Sequence, residues 1–544
     1  MWNRLFNSQT KTISSAAGIL GLSALISKIL GLFRDRLLAG YFGAGSQLDI
    51  YFASFRIPDL VYNILIAGGI VVAFLPLFSK YFSKDKETAW QFTNCVLNIF
   101  LFLLILISLV LSIFTPFLIK IIAPGFNLEQ KTLAIALTRL MFLSPIFFGL
   151  SSIFSGVLHY FNRFLIYSLC PILYNLGIIF GIIFLTPLWG VFGVALGVIL
   201  GAFFHMAIQI PSVVNCGFRY RPIFNFRHPG IKKVFFLMVP RIFGMASQQI
   251  NLIVITAIAS TLSVGSIAIF NFSNNLQYLP IGIIGIPFAT ASFPILSRFW
   301  VDNEKEKFIE KFSSIFCRVF YLIIPVSILM ILLRAQIVRL ILGTGQFGWL
   351  ETRLTAASLG LFCLGTFAIA LIPLIFRVFF AFQDTKTPTL IAISAMFLNI
   401  GLSFVFTWFL KFPNFFRTFM EQFLKLEEIE DISVIGLPLA FSIAGIFQFI
   451  LLLFFLYKKI GDFKLKEICN SCLKIISASI LMSGGVYFTL HLIAPLVNMQ
   501  TFLGVLIQSA VAGLTGIFIY FIITWALKSP ELKAIVPFLK RIKK

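Results

Sequence analysis

The sequence predicts an all-α polytopic membrane protein, and two observations carry that prediction. Of the 544 residues, 59% are hydrophobic and only 12% are charged, with a mean hydropathy of +0.99. A water-soluble domain of this size would expose apolar surface everywhere. The chain also contains many apolar runs of about 20 residues, the length at which a helix crosses a bilayer. A transmembrane β-barrel would instead need short alternating segments, which the sequence lacks.

Breaks at charged residues, proline and glycine divide the chain into about fourteen helices of spanning length. Their predicted extents are 14–43, 48–80, 91–121, 131–161, 165–187, 189–214, 234–262, 266–298, 308–341, 352–382, 387–411, 433–458, 468–494 and 500–527. No cleavable signal peptide is expected, because the first apolar stretch is too long and lacks a small-residue cleavage site.

The two halves of the chain resemble each other. AFLPLFSKYF (73–82) is echoed by ASFPILSRFW (291–300), with a proline, a serine and a cation at matching positions. Segments 123–140 and 343–360 align in the same way. We interpret helices 1–6 and 7–12 as two pseudo-symmetric six-helix lobes in the same orientation, followed by two C-terminal helices. Parallel repeats of this kind are typical of transporters, with the substrate cavity between the halves.

This duplication predicts the domain organisation. The domains are an N-terminal lobe at 1–215, a cytoplasmic linker at 216–233, a C-terminal lobe at 234–460, helices 13–14 at 461–530 and a basic cytoplasmic tail at 531–544.

Cations are concentrated in alternate connections between the predicted helices, for example at 80–86, 219–233 and 458–466. Such loops remain on the cytoplasmic side of a membrane, so both termini are predicted to be cytoplasmic. An even number of helices requires the same arrangement. The loop at 411–432 is the long one on the other side, and its spacing predicts an amphipathic helix at the membrane surface.

Composition excludes several other functions. The net charge of +23 suits membrane lipids better than nucleic acid, because most cations lie in loops between helices. The Cys469–Cys472 pair lacks two further ligands nearby, so neither a zinc site nor a disulfide framework is expected. No phosphate-binding loop of the GxxxxGK[ST] type occurs, so we expect no nucleotide. No cofactor is predicted.

One charged stretch stands out in this apolar chain: SKILGLFRDRLLAGYFGAGSQLDIYFASFRIPDL, residues 27–60. A charge facing lipid at mid-bilayer costs about 2.5–3.5 kcal/mol or more, so such residues normally face a bundle interior or a watery cavity. We therefore predict that Lys28, Arg34, Arg56 and Arg241 are cavity cations that bind an anionic substrate.

Other interpretations of these cations remain open. Arg34 and Asp35 could pair with each other at a helix end, as could Arg56 with Asp59. Arg241 could extend to the cytoplasmic interface. The glycines of the stretch, and the Gly68–Gly69 pair further on, would allow the first two helices to bend.

The stretch at 27–60, together with AFLPLFSKYF, APGF, SGVLHYFNRFLIYSLCPILYN and FFAFQDTKTP, resembles the MurJ/MviN family. The resemblance covers nearly the whole chain. It implies fourteen helices, a cationic cavity between two lobes, a groove for a polyprenyl tail at the last two helices, and alternating access. It also implies that Arg34 and Asp35 match the family's RD, that Asp49 matches the aspartate after GAG, and that Lys28 occupies a frequent arginine position.

The sequence departs from the family pattern at two places. Where many members have arginines and a glutamate in helix 2, this chain has Tyr62, Asn63 and Ala67. A frequent Asp-Arg pair in helix 8 is replaced by Asn274 and Asn275, which we list with Asp35 and Asp49 as supporting residues.

The resemblance implies a lipid II flippase of the bacterial inner membrane, with lipid II as its partner and the membrane potential or an ion gradient as its driving force. We expect a monomer and no enzymatic activity. The alternatives are a flippase or exporter for another polyprenyl-pyrophosphate-linked oligosaccharide, a drug exporter, and a polytopic glycosyltransferase. A drug exporter for cations would need acidic residues in the cavity, and a glycosyltransferase would need a catalytic carboxylate or histidine at a membrane face.

Overall fold

The computed structural model describes the backbone of residues 13–532 and the side chains of residues 18–66, 73–236, 238 and 246–532. Helices form most of this part of the chain, and no strand occurs in it. The prediction of an all-α protein is confirmed.

Helices of the first half alternate with short turns. They are α1 (Ile13–Phe42), α2 (Ser46–Val61), α3 (Val71–Phe82), α4 (Lys86–Ile122), α5 (Leu128–Met141), α6 (Leu143–Tyr160), α7 (Phe164–Phe180), α8 (Thr186–Trp189), α9 (Val191–Ala207), α10 (Ile210–Val214) and α11 (Pro229–Ser260).

The second half continues in the same manner. Its helices are α12 (Ser266–Pro280), α13 (Ile286–Val301), α14 (Lys305–Leu332), α15 (Arg334–Ile341), α16 (Trp349–Ala381), α17 (Lys386–Lys411), α18 (Phe415–Leu424), α19 (Gly436–Ile460), α20 (Leu465–Ile493) and α21 (Phe502–Ala526). Short 3₁₀ turns, Ser433–Ile435 and Ala494–Leu496, precede α19 and follow α20. The helix predicted within the 411–432 loop is present as α18.

Eleven helical stretches within the described residues are long and apolar enough to cross a membrane. They are Lys86–Ile122, Leu128–Tyr160, Phe164–Trp189, Val191–Val214, Ser266–Val301, Lys305–Leu332, Trp349–Ala381, Lys386–Lys411, Ser433–Ile460, Leu465–Leu496 and Phe502–Ala526. Three further long helical stretches are α1, residues 46–82 and α11, which contain the four predicted cavity cations. This is consistent with fourteen membrane-spanning helices, a count that stays a prediction.

The chain forms two compact units, Met1–Ala268 and Ile269–Lys544. By this division α11 belongs to the first unit, whereas the sequence repeat assigns it to the second lobe. The predicted domain boundaries follow the repeat and stay predictions. Each unit has its own core of large aromatic side chains, Phe74, Phe78 and Phe92 in the first and Phe308, Phe312 and Phe379 in the second.

Three helices are interrupted by π-helical segments. These are Tyr62–Ile70 between α2 and α3, Gly181–Leu185 between α7 and α8, and Ile281–Gly285 between α12 and α13. The first and third occupy corresponding places when the two halves are aligned on 73–82 and 291–300. The first also includes the Gly68–Gly69 pair predicted to weaken its helix, and wider turns of this kind are often found at functional sites.

Glycines bring α7 and α9 into close contact. A Cβ atom at Gly177 would lie 2.3 Å from the Cα of Gly201, and one at Gly181 would lie 2.5 Å from the Cα of Gly197. Small residues at such spacing allow helix backbones to approach each other in lipid, where packing rather than the exclusion of water holds helices together. This contact fixes α7, which carries a side chain that bonds to α1.

Candidate functional site

Arg34 and Asp35 are neighbours on α1 and form an ion pair. Arg34 Nε and Nη2 donate to Asp35 Oδ1 at 3.0 and 2.8 Å, and Nη1 donates to Asn175 Oδ1 at 3.3 Å. The side chain of Arg34 is 23% exposed and that of Asp35 is 6% exposed. Because a guanidinium has five N–H donors, one donor on Nη1 and one on Nη2 remain. The self-pairing that the sequence left open therefore occurs, but it leaves two donors for a ligand.

Asn175 on α7 is a site residue that the sequence analysis missed. Its Nδ2 donates to the backbone oxygen of Ser27 at 3.3 Å, to Ser27 Oγ at 3.2 Å and to the backbone oxygen of Pro171 at 3.0 Å. Its Oδ1 accepts the bond from Arg34. An asparagine inside the apolar run CPILYNLG was the available signal, since a polar side chain at membrane depth is retained when it has partners or a function.

Lys28 lies on α1 beside this junction and is half-buried. Among the described residues it has no hydrogen-bond or ion-pair partner. The residue before it, Ser27, bonds to Asn175, and Ser23 Oγ donates to Ser168 Oγ at 3.0 Å. These two bonds hold α1 against α7. Lys28 thus adds an ammonium group on a flexible stem to the helix that carries Arg34.

Arg56 on α2 bonds to a different helix. Its Nε donates to Thr256 Oγ1 on α11 at 2.7 Å, and the hydroxyl of Thr256 donates in turn to the backbone oxygen of Leu252 at 2.7 Å. Arg56 is therefore held between α2 and α11 within the first unit. Asp59, the alternative partner considered from the sequence, lies one helical turn further along α2.

Asp49 has a structural contact that the sequence did not indicate. Its Oδ2 accepts from the backbone N–H of Gly265 at 2.6 Å and its Oδ1 from that of Ala268 at 2.8 Å, and the residue is 5% exposed. A carboxylate at this place satisfies free N–H groups at the start of α12 and complements the helix dipole. Gly265 has φ of +91°, and a Cβ there would lie 1.9 Å from the backbone oxygen of Ala44, so only glycine fits.

The remaining predicted site residues are less well defined. Arg241 lies on α11, but its side chain is outside the described residues. Asn274 and Asn275 lie on α12 in the second unit and are half-buried. Their roles stay predictions.

Aromatic and polar side chains continue the site into the interior of the first unit. The rings of Tyr62 and Phe148 lie 4.9 Å apart, and those of Phe148 and Tyr174 lie 5.2 Å apart. Tyr174 immediately precedes Asn175 on α7. Beyond Phe148, Ser151 Oγ lies 2.6 Å from His205 Nδ1 and also accepts a hydrogen bond from Gln209 Nε2. This polar chain joins α6 to α9 in a packed interior.

The second unit contains a cavity of about 260 Å³. Its lining includes Arg318, Lys464 and Glu531, and none of the predicted site residues. Both carboxylate oxygens of Glu531 accept hydrogen bonds, one from Ser471 and one from Ser529.

The comparisons with known proteins decide the family. The family model for lipid II flippase MurJ matches residues 38–507. The chain is also 30% identical over 480 residues to the probable lipid II flippase MurJ of Buchnera aphidicola subsp. Schizaphis graminum, covering 87% of this chain and 89% of that protein. This chain belongs to the MurJ family.

Other MurJ proteins agree with this assignment. The lipid II flippase MurJ of Burkholderia cenocepacia is 27% identical over 391 residues, which cover 70% of this chain and 76% of that protein. A solved structure of lipid II flippase MurJ in an inward closed conformation superposes with a TM-score of 0.75, at 27% identity, over 93% of this chain and 98% of that one.

A more distant structural relative shares only the fold. An inward-facing multidrug resistance transporter of the MATE family superposes with a TM-score of 0.66 at 15% identity, over 80% of this chain and 95% of that one. The MurJ model match begins at residue 38. Lys28, Arg34 and Asp35 therefore lie before the residues that the family model matches.

Proposed function

We propose that this chain is a lipid II flippase that moves the lipid-linked peptidoglycan precursor from the cytoplasmic to the outer leaflet of a bacterial inner membrane. The observation that carries the proposal is the MurJ family match over residues 38–507. The arrangement of cations on α1 and α2 supports it, because the substrate is a polyprenyl pyrophosphate and its charged group must enter an apolar bundle.

Arg34 and Lys28 are the groups we assign to the pyrophosphate. The unused N–H donors on Nη1 and Nη2 of Arg34 form a fork that can bind two phosphate oxygens, and charge-assisted bonds of this type are about twice as strong as neutral ones. Asp35 and Asn175 orient the fork, since they hold the other side of the guanidinium. Lys28 adds a second charge that can follow the substrate as it moves.

Arg56 has a different role in this proposal. Because it bonds to Thr256 on α11, it links the second and seventh predicted membrane helices. Substrate that competes for this guanidinium would weaken that link and so favour one conformation over another, which is how binding shifts a two-state equilibrium. Alternating access follows from such a shift.

The further parts of the proposal rest on the sequence and on family membership. Both termini are cytoplasmic, the working unit is a monomer, no covalent chemistry is performed, and the membrane potential or an ion gradient supplies direction. Moving one elementary charge across 100 mV is worth about 2.3 kcal/mol, which is enough to bias transport of an anionic headgroup.

The test is complementation of a bacterium depleted of its own lipid II flippase. We expect this chain to restore growth and to deliver lipid II to the outer leaflet, measured by the accessibility of its headgroup to an externally added hydrolase. An inactive control is the Arg34→Ala variant at the same expression level. If the chain is stably inserted but lipid II stays inside, while another polyprenyl-pyrophosphate oligosaccharide crosses, the substrate assignment is wrong.

A further inference from the structure

Residues 218–227, here named the linker segment, connect α10 to α11 without helix or strand. The backbone of this segment is held by hydrogen bonds, and several of its side chains are exposed. It is not part of the lipid II site proposed on α1 and α2. Its sequence, FRYRPIFNFR, contains four aromatic and three cationic residues.

The segment is anchored at its start by Phe218. This side chain is 6% exposed, and its ring lies 5.8 Å from that of Trp90 and 6.1 Å from that of Phe154. Gly217 precedes it with φ of +100°, and its Cβ position faces the Trp90 indole at 3.7 Å. The chain thus enters the segment from a fixed, buried point.

The first turns of α4 then hold its backbone. Asn94 Nδ2 donates to the backbone oxygen of Arg219 at 3.0 Å, and Asn94 Oδ1 accepts from the N–H of Arg221 at 2.9 Å. Asn98 Nδ2 donates to the backbone oxygens of Arg221 at 2.9 Å and Ile223 at 3.1 Å.

Cys95 Sγ, from the same face of α4, donates to the backbone oxygen of Asn225 at 3.3 Å. Every second carbonyl from 219 to 225 therefore faces one side of α4. The segment also ends at a fixed point, because His228 Nδ1 accepts from the N–H of Gly230 at 3.1 Å and the imidazole packs on Tyr81 and Phe92.

Large aromatic side chains are nevertheless left uncovered. Tyr220, Phe224 and Phe226 are 60%, 58% and 54% exposed. Single exposed apolar residues need no explanation, but three within seven positions of a rigid segment form a patch, and such patches mark interaction sites.

Cations surround this patch. Arg219, Arg221 and Arg227 are exposed, as are Lys232 and Lys233 at the start of α11, and the sequence has no acidic residue between 216 and 236. Glu87 approaches Arg221, with Nη1 and Oε1 3.1 Å apart. The charge of the patch is therefore strongly positive.

The length of α4 places the patch near a membrane surface. This helix has 37 residues, and at 1.5 Å per residue it is about 55 Å long, whereas the hydrocarbon core is about 30 Å thick. Its apolar run begins near Cys95, so Asn94 and Asn98 lie where the helix leaves the hydrocarbon.

We propose that the linker segment is a docking site for anionic phospholipid headgroups of the adjacent leaflet. Aromatic rings favour the headgroup level of a bilayer, where one part of the ring contacts acyl chains and another contacts water. Arginines among them bind lipid phosphates and gain from the negative surface potential of anionic lipids. Because Asn94 and Asn98 fix the backbone beforehand, binding orders little of the chain. This site takes membrane lipid and is separate from the substrate site on α1.

Photocrosslinking in nanodiscs tests the proposal. A photoreactive benzoylphenylalanine replaces Phe224 in the full chain, and the discs contain equal amounts of phosphatidylglycerol and phosphatidylcholine. We expect lipid adducts by mass spectrometry, with phosphatidylglycerol enriched several-fold. The matched control places the same residue at Phe114, which is 56% exposed in the apolar run of α4 and lies towards the end of that run away from the linker segment, and there both lipids should react in proportion to their amounts.

A second variant tests the arginines directly. In the Phe224 crosslinking background, Arg219→Gln, Arg221→Gln and Arg227→Gln together should remove the several-fold enrichment of phosphatidylglycerol, so that the two lipids react in proportion to their amounts. A control triple variant, Arg298→Gln, Lys305→Gln and Lys307→Gln, should retain it. If the first triple variant does not fold, Arg219→Gln alone should lower the enrichment of phosphatidylglycerol, and an unchanged ratio of the two lipids would contradict the proposal.

Several results would overturn the proposal. Equal yields of the two lipids at position 224 would show that charge does not select the occupant. Adducts to another protein or to a second copy of the chain would show that the patch is a protein interface. The absence of any adduct at 224, with adducts present at 114, would show that the segment faces only water.

Discussion

Arg34 and Asp35 occupy adjacent positions on α1, and their pairing determines what a substitution there will do. Asp35 is nearly buried and receives two hydrogen bonds from Arg34. Arg34 also bonds to Asn175, so one guanidinium serves both a structural contact within the helix and a contact between helices. Lys28 has no such contact among the described residues, which leaves it available to a ligand.

Replacing Arg34 should therefore affect stability and transport in separable ways. Arg34→Ala removes two donors from a buried carboxylate, which costs about 1–3 kcal/mol of unfolding free energy, and it abolishes lipid II transport. Arg34→Ala with Asp35→Asn should recover most of the melting temperature without transport. Arg34→Lys keeps the charge but not the fork, and should reduce transport on the order of tenfold, the equivalent of about 1.4 kcal/mol.

Melting temperatures and lipid II delivery, measured on the same preparations, check these expectations. Recovery of transport in the double variant would show that Arg34 only supports the fold. Lys28→Arg serves as a control that should remain active, because either cation can reach a phosphate oxygen.

Asp49 gives a second prediction at this scale. Asp49→Ala removes the acceptor for two backbone N–H groups at the start of α12, and should lower the free energy of unfolding by about 3 kcal/mol, since each bond to a charged group contributes about 1.5–3 kcal/mol. Thermal unfolding in detergent measures the effect, while lipid II binding by the folded protein should be unchanged. The matched control is Asp85→Ala, because Asp85 caps α4 at an exposed position and accepts from Thr88 N–H. Equal losses in the two variants would contradict the special role of Asp49.

At the scale of elements, side-chain hydrogen bonds hold the turns between helices in place. In the turn between α16 and α17, Asp384 accepts from Lys459 Nζ at 2.6 Å, from Thr387 Oγ1 at 2.9 Å and from the Thr387 N–H at 3.0 Å. The ammonium group of Lys459 lies 5.5 Å from the centre of the Phe382 ring. The DTKTP motif therefore connects the turn between α16 and α17 to α19 through side-chain hydrogen bonds.

This turn should contribute stability that depends on pH. Burial alone would raise the pKa of Asp384, but the hydrogen bonds from Lys459 and Thr387 outweigh it and lower that pKa. A carboxyl group whose pKa is lower in the folded than in the unfolded protein contributes its full stabilisation at pH values above the unfolded-state pKa, which is about 3.9 for aspartate. This stabilisation is lost as the pH falls through the folded-state pKa. Asp384→Asn should thus lower stability by at most about 1 kcal/mol at pH 7, and the difference from the unsubstituted protein should shrink below about pH 4.

Melting temperatures between pH 7 and pH 3 measure this dependence. Asp302→Asn is the control, because Asp302 is more exposed and lies 3.4 Å from Arg298, so its effect should be smaller throughout. A difference for Asp384→Asn that stays constant to pH 3 would show that the carboxylate charge is unimportant there.

At the scale of the whole molecule, each of two compact units has its own core, and the orientation of the chain in the membrane follows from its loops. The cation-rich connections predict that residues 80–90, 216–233 and the C-terminus are cytoplasmic. The direction of lipid II transport depends on this orientation.

Native cysteines make the orientation measurable. Cys469 is exposed at the start of α20, next to the cation-rich connection before that helix. A membrane-impermeant maleimide should leave Cys469 unlabelled in intact cells and label it after permeabilisation, with Cys469→Ser to identify the signal. Glu427→Cys, in the loop after α18, should be labelled in intact cells. Labelling of Cys469 from outside would reverse the proposed topology.

The sequence by itself determined the class of the protein, its helices and its family. The length of an apolar run decides whether a helix can cross a membrane. Charged residues decide where a helix ends and on which side of the membrane its loop remains. Each of these properties can be predicted from one segment of the sequence without knowledge of the rest. The same local logic correctly indicated the helix α18. The cations on α1 and α2 were identifiable because charge is costly in such a chain.

Only the tertiary structure decided what those charged residues contact. Asn175 meets Arg34 across 141 positions of sequence, Thr256 meets Arg56 across 200, and Asp49 reaches Gly265 across 216. No periodicity or spacing encodes such pairs, because they depend on which helix faces pack together. That packing is set by close contacts such as those between Gly177 and Gly201, where a single added carbon would separate α7 from α9. The sequence therefore shows which residues are charged within the membrane, and the packing of helices decides which partners orient them.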